Sequence, residues 1–103
     1  MFLLNSFSLN MLAALPAQPL IEEISLGEAK KLLQGGFTSA VGHNDTANIF
    51  AGLIELPVES ARITVSLEKG EVALIGQYIG PRLPEGATIL PAGSTIKWIK
   101  VTV

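Results

Sequence analysis

The stretch Ala61 to Ile79, ARITVSLEKGEVALIGQYI, constrains the fold of this chain more than any other: two runs rich in β-branched residues flank the dipeptide Lys69-Gly70. Two such runs around a glycine turn predict an antiparallel hairpin. A two-residue loop sets Glu68 opposite Glu71, Val65 opposite Leu74 and Arg62 opposite Gln77. Strand alternation then places Ile63, Val65, Leu67, Val72 and Leu74 on one face, and Arg62, Thr64, Ser66 and Gln77 on the other.

Shorter elements surround this hairpin. Phe2-Leu3-Leu4 reads as a buried strand, followed by a helix from Leu9 to Leu15 that Ser8 caps and Pro16 ends. Pro19 to Ile24 predicts a second strand. Ser25-Leu26-Gly27-Glu28 has the spacing of a capping box, opening a helix with Ala29, Leu32 and Leu33 inward that Gly35 and Gly36 stop. Phe37 to Val41 predicts another strand. Asn44 or Asp45 is positioned to cap a helix through Leu53, with Ala47, Phe50 and Ala51 as its apolar stripe. After the hairpin comes a proline-rich loop, GPRLPEGATILPAG, and Ile96 to Val103 closes as a strand. Strands interleaved with short helices predict an α/β fold, a mixed β-sheet with flanking short helices in a single domain spanning residues 1–103.

Bulk numbers narrow the function classes. Hydrophobic residues are 49% of the chain and charged residues 16%, a balance that leaves apolar surface for a partner to cover and predicts a homodimer. No cysteine is present, which removes disulfides, thiolate nucleophiles and cysteine-built metal sites. A net charge of −2 argues against a partner of long DNA or RNA, whose non-specific binding draws on many basic residues. The apolar N-terminus has no basic residue before Lys30, and Asn5, Ser6, Ser8 and Asn10 interrupt it, so it reads as folded protein and not as a signal or membrane segment. A cytoplasmic location is expected. Motifs for serine hydrolases, phosphate-loop nucleotide hydrolases and dinucleotide binding are absent.

Three features remain as candidate chemistry. His43 is the only histidine, in Val41-Gly42-His43-Asn44-Asp45-Thr46. An imidazole titrates near neutral pH and serves as a general acid or base, while a lone loop histidine equally serves as a plain hydrogen-bond donor. The helix start beside it offers unpaired N–H groups to an anion, and Ser8 marks a second such start. In the proline-rich loop, Pro81 and Pro84 stiffen the backbone around Arg82 and Glu85, either to hold the arginine in a site or to form a surface ion pair. His43 with Asp45 and Glu85 has no recognisable metal-ligand spacing.

Taken together, Asn5-Ser6-Phe7-Ser8-Leu9-Asn10-Met11-Leu12, Gly42-His43-Asn44-Asp45-Thr46, Arg62 and Arg82-Leu83-Pro84-Glu85-Gly86 resemble the viral ring nucleases, type III anti-CRISPR proteins that degrade the second messenger cyclic tetra-adenylate. The resemblance runs nearly end to end. It implies a homodimer in the host cytoplasm whose two-fold interface forms one pocket for the ring, closed by a mobile segment. It also implies cleavage without metal or other cofactor into di-adenylates ending in a 2′,3′-cyclic phosphate. In that family's pattern His43 protonates the leaving 5′ oxygen, Glu85 assists His43, Arg62 and Arg82 hold phosphates, and Asn5, Ser8 and Asn10 contact ligand. The family's glutamine aligns with Gln77 across a one-residue gap, a placement that the hairpin register supports by setting Gln77 opposite Arg62. The stretch from Gly86 to Ile96 is short for a covering segment. Two other functions suit the same composition: a module that sequesters the ring uncut, and a small structural or regulatory dimer.

Overall fold

A computed structural model describes residues Met1–Val103. Five strands form one mixed sheet: β1 (Phe2–Leu4), β2 (Leu20–Ile24), β3 (Thr38–Ala40), β4 (Val72–Ile79) and β5 (Thr95–Thr102), in the order β2-β5-β4-β1-β3. β1 runs parallel to both β3 and β4, while β5 runs antiparallel to β2 and β4. Helices α1 (Leu26–Leu33) and α2 (Asn44–Ile54) pack on one face. The expected α/β class, with a mixed sheet and short helices, is the one observed.

Local chemistry accounts for the start of α1 but not for that of α2. Ser25 accepts a hydrogen bond from the Glu28 N–H, and Glu28 reaches back to the Ser25 N–H, completing the capping box of α1. α2 begins one residue earlier than expected: His43 itself is the N-cap residue, extended at φ −128°, ψ 130°, and Asn44 is already helical. The helix expected from Leu9 to Leu15 contracts to a single 3-10 turn, Leu9–Met11, capped by Ser8. Leu12 ends that turn because it pairs with Leu67 instead.

The hairpin does not form. The turn is present, with the Glu71 N–H donating to the Glu68 carbonyl and Gly70 at φ +91°, but residues 61–66 are not in a strand. They cross the sheet face opposite the helices. Leu67 exchanges main-chain hydrogen bonds with Met11 and Ala13, and β4 pairs instead with β1 and β5. In this register Gln77 lies opposite Lys97, not Arg62. The physical reason is burial: Ala73, Leu74, Ile75 and Gly76 are consecutive buried residues, the mark of a strand covered on both faces and flanked by two neighbours.

Two apolar layers result. Leu3, Leu33, Val41, Phe50, Ile54, Leu74 and Trp98 form the core under the helices, and Leu4, Val65, Leu67, Ala73, Ile75 and Val101 form the second layer on the other face. Val65 and Leu67 thus share a layer with Ala73 and Ile75, not with Leu74 as the hairpin alternation required. Because β1, β3 and β4 are parallel, their C-terminal ends reach one edge of the sheet. Asn5, Gly42-His43 and the loop of residues 80–94 all emerge there.

Candidate functional site

The sheet edge at which parallel strands end is the ordinary place for a ligand in an open α/β sheet. At this edge the peptide of Gly42, immediately before His43, is held from both sides. The Gly42 N–H donates to the Asn5 Oδ1 at 3.2 Å, and the Gly42 carbonyl accepts from the Arg62 Nε at 2.9 Å. Asn5 comes from the end of β1, and Arg62 follows Ala61, whose N–H bonds the Val41 carbonyl at 2.8 Å. Two segments remote in sequence therefore fix the backbone that carries the histidine. Arg62 spends only Nε on this contact, leaving both terminal nitrogens of an exposed guanidinium for an anion.

His43 is exposed, and its side chain makes no capping bond to α2. Its own carbonyl accepts the first helical N–H, from Ala47 at 3.0 Å, so the opening N–H groups of an 11-residue helix are left to another acceptor. Asp45, in the first turn of α2, accepts a 3.3 Å hydrogen bond from the Gly86 N–H. Through that bond the 80–94 loop meets the start of α2. Pro84 and Ala87 close a turn at 3.2 Å, with Glu85 and Gly86 as its central residues and Gly86 at φ +79°, a conformation that glycine adopts without a Cβ clash. Arg82 and Glu85 are both exposed. Of the two alternatives for this loop, the Arg82–Glu85 ion pair is not formed; the chain's two ion pairs are Lys30–Glu55 and Lys97–Glu23.

Gln77 joins the site by a different route from the one expected. It projects from β4 onto the open face of the sheet, where it lines a groove of about 410 Å³ with Asn5, Phe7, Ile21, Tyr78 and Ile99. Asn5 thus touches both the groove and the Gly42 peptide. No hydrogen bond ties Ser8 or Asn10 to the Gly42-His43 corner: the Ser8 hydroxyl accepts from the Asn10 N–H at 3.2 Å, and both residues are exposed. A three-residue turn also offers no helix dipole, which removes Ser8 as a second anion seat. No three His, Asp or Glu side chains converge to hold a metal ion, and no helix is long and apolar enough to cross a membrane.

Two contributors escaped the sequence reading. Asp45 carried no signal of its distant partner, since a first-turn acidic residue is explained by the helix dipole alone. The apolar wall of Phe7, Ile21 and Ile99 was hidden because its members come from three segments whose pairing the sequence did not disclose.

The STIV B116-like family matches residues 1–95. Uncharacterized protein 26 of Sulfolobus islandicus filamentous virus (isolate Iceland/Hveragerdi) is 33% identical over 96 residues, a match covering 86% of this chain and 75% of the relative. Among solved structures, B116 of Sulfolobus turreted icosahedral virus superposes with a TM-score of 0.83 over 99% of this chain and 97% of its own, at 28% identity. The viral source of both relatives agrees with the viral origin that the sequence motifs imply.

Proposed function

The chain belongs to the STIV B116-like family, and from that premise we propose that it is a metal-independent ring nuclease, dimeric and acting in the host cytoplasm, that cleaves cyclic tetra-adenylate. The observation that carries this reading is the clamp on Gly42: Asn5 and Arg62 fix the peptide from which His43 projects. A histidine left to a flexible loop would need no such support.

The groups at this edge suit a transesterification. A ribose 2′ hydroxyl of the ring attacks its own 3′ phosphorus, forming the P–O2′ bond and breaking the P–O5′ bond. The hydroxyl's own proton passes to solvent water, His43 gives its proton to the departing 5′ oxygen and is reprotonated from solvent, and the product ends in a 2′,3′-cyclic phosphate; two such cuts yield linear di-adenylates. A general acid contributes roughly 10² to 10⁴-fold, while in-line placement of the hydroxyl contributes more, up to effective molarities of about 10⁵ to 10⁸ M. Orientation is the task of the remaining residues. The free nitrogens of Arg62, with Arg82, hold phosphate oxygens, Glu85 orients the imidazole, and Asn5 and Gln77 at the rim of the apolar groove suit a nucleobase. Ser8 and Asn10, bonded to one another, supply further contacts from the N-terminal turn.

Incubation with cyclic tetra-adenylate in EDTA, with products resolved by chromatography, tests the proposal. Di-adenylates with 2′,3′-cyclic phosphate ends are expected, and His43→Ala is expected to slow single-turnover cleavage by about 10² to 10⁴-fold. An intact ring, or undiminished cleavage by His43→Ala, would overturn it. One observation favours a second reading: the His43 imidazole has no hydrogen-bonded carboxylate beside it in the free chain, as suits a module that sequesters the ring uncut. Tight binding with no product over hours would select that reading.

A further inference from the structure

Asp45 occupies a costly position for a protein that binds an anion. It places a carboxylate in the first turn of α2, where the helix dipole and free N–H groups would otherwise attract phosphate. Its carboxylate is not spent on capping its own helix. Instead Oδ2 accepts the N–H of Gly86, 41 residues away. The geometry points to Asp45 as a positioning residue: it latches the 82–86 loop, which carries Arg82 and Glu85, to the first turn of α2, the helix that His43 caps, and so limits where those side chains can reach when the ring binds.

Four observations support this role. The donor is the N–H at the third position of the turn closed between Pro84 and Ala87, an amide the turn's own hydrogen bond leaves unpaired. Gly86 follows Glu85 directly, so anchoring its N–H fixes the peptide that Glu85 carries. Asp45 follows His43 by two residues on a helix whose start is already clamped through Gly42, so the latch joins the loop to the stiffest backbone at this edge. The two ends of the same loop are braced separately, the near end by Tyr78 Oη donating to the Pro81 carbonyl at 2.6 Å and the far end by Ser94 Oγ donating to the Pro91 carbonyl. The segment between those braces is therefore tied to α2 by the Asp45 contact.

The carboxylate's charge and its acceptor oxygen thus act in opposite directions. The charge opposes the ring's phosphates, while the acceptor oxygen holds the loop. Asparagine separates them, because its amide oxygen still accepts the Gly86 N–H without the charge.

This role rests on the ring-nuclease reading for its catalytic consequence, but not for the latch itself. The test measures amide exchange at Gly86 by NMR on the free protein and single-turnover cleavage of cyclic tetra-adenylate, for wild type, Asp45→Ala and Asp45→Asn. Asp45→Ala is expected to speed Gly86 exchange about fivefold or more and to slow cleavage about 10- to 100-fold. Asp45→Asn is expected to restore both to within about threefold, and to lower KM about two- to fivefold, the change that 0.3 to 1 kcal/mol of helix-end electrostatics gives. Unchanged Gly86 exchange in Asp45→Ala overturns the latch even if the wild type cuts no ring. An unchanged cleavage rate in Asp45→Ala, or an Asp45→Asn variant as slow as Asp45→Ala, overturns the positioning role while leaving the nuclease reading intact.

Discussion

At the scale of single residues, Gly42 poses a specific question. Its φ is not in the left-handed region, and a Cβ there would meet only Arg62 Cγ at 3.5 Å, an ordinary contact. Neither backbone nor packing requires a glycine. What remains is close approach from outside, the other general use of glycine. Gly42→Ala is therefore expected to leave the thermal midpoint within about 2 °C of wild type while weakening ring binding about tenfold, as read by calorimetry on an inactive His43→Ala background. A variant that instead unfolds, or binds normally, would show that the glycine answers to the fold. Arg62 makes the complementary case. Its Nε is committed to the Gly42 carbonyl, so only a side chain with several donors in a fixed fork can hold the peptide and a phosphate together. Arg62→Lys has one ammonium for both duties, and about a tenfold or greater loss of ring affinity is expected despite the conserved charge.

At the scale of elements, β4 decides the architecture. Gly76 lies where a Cβ would sit 2.4 Å from Phe50 Cζ and 2.9 Å from both Cε atoms. The Phe50 ring also packs against Trp98, with centroids 5.2 Å apart. Phe50 is fully buried and its ring has no room to yield, so Gly76→Ala forces α2 off the sheet. A cost of about 1 to 3 kcal/mol is expected in denaturant unfolding, and since α2 carries His43 at its start, the cleavage rate falls as well. A midpoint unchanged by Gly76→Ala would contradict this packing. What was legible in the sequence follows the same logic of range. The capping box at Ser25, the stop at Gly36 and the turn at Gly70 are decided within a few residues, and all three formed. The pairing of β4 is decided by which distant segment buries most, and there the local hairpin signal pointed to the wrong partner. The run Val72-Ala73-Leu74-Ile75 held the contrary cue, a continuous apolar stretch where a half-exposed hairpin strand would alternate. The candidate site divides in the same way. Types and motifs named His43, Arg62, Arg82 and Glu85, whereas the Gly42 clamp and the Asp45 contact span 20 to 41 residues and required the fold. Gln77 faces the site for a reason unlike the one the sequence suggested: it neighbours Asn5 along the groove and pairs with Lys97, not with Arg62.

At the scale of the whole molecule, charge sets the limit on what one chain can hold. Arg62 and Arg82 are its only arginines, and two of its five lysines are tied up in the Lys30–Glu55 and Lys97–Glu23 pairs. With a net charge of −2 there is no broad basic surface to supplement them. A ring of four phosphates thus exceeds one chain's supply of forked cations, and two chains related by a two-fold axis match it with four arginines. Apolar surface is present to join them, since Leu20, Ile21, Ile79 and Ile89 are all large and exposed. Sedimentation equilibrium is expected to give twice the 10.9 kDa chain mass, and calorimetry one ring per two chains. Because binding neutralises only these four phosphates, log affinity is expected to fall against log salt with a slope of about −3, the product of four charges and the roughly 0.7 counterions released per phosphate of a single strand. One ring per chain would mean that a single subunit carries the whole site, and a slope much steeper than this would mean that cations beyond Arg62 and Arg82 reach the ligand.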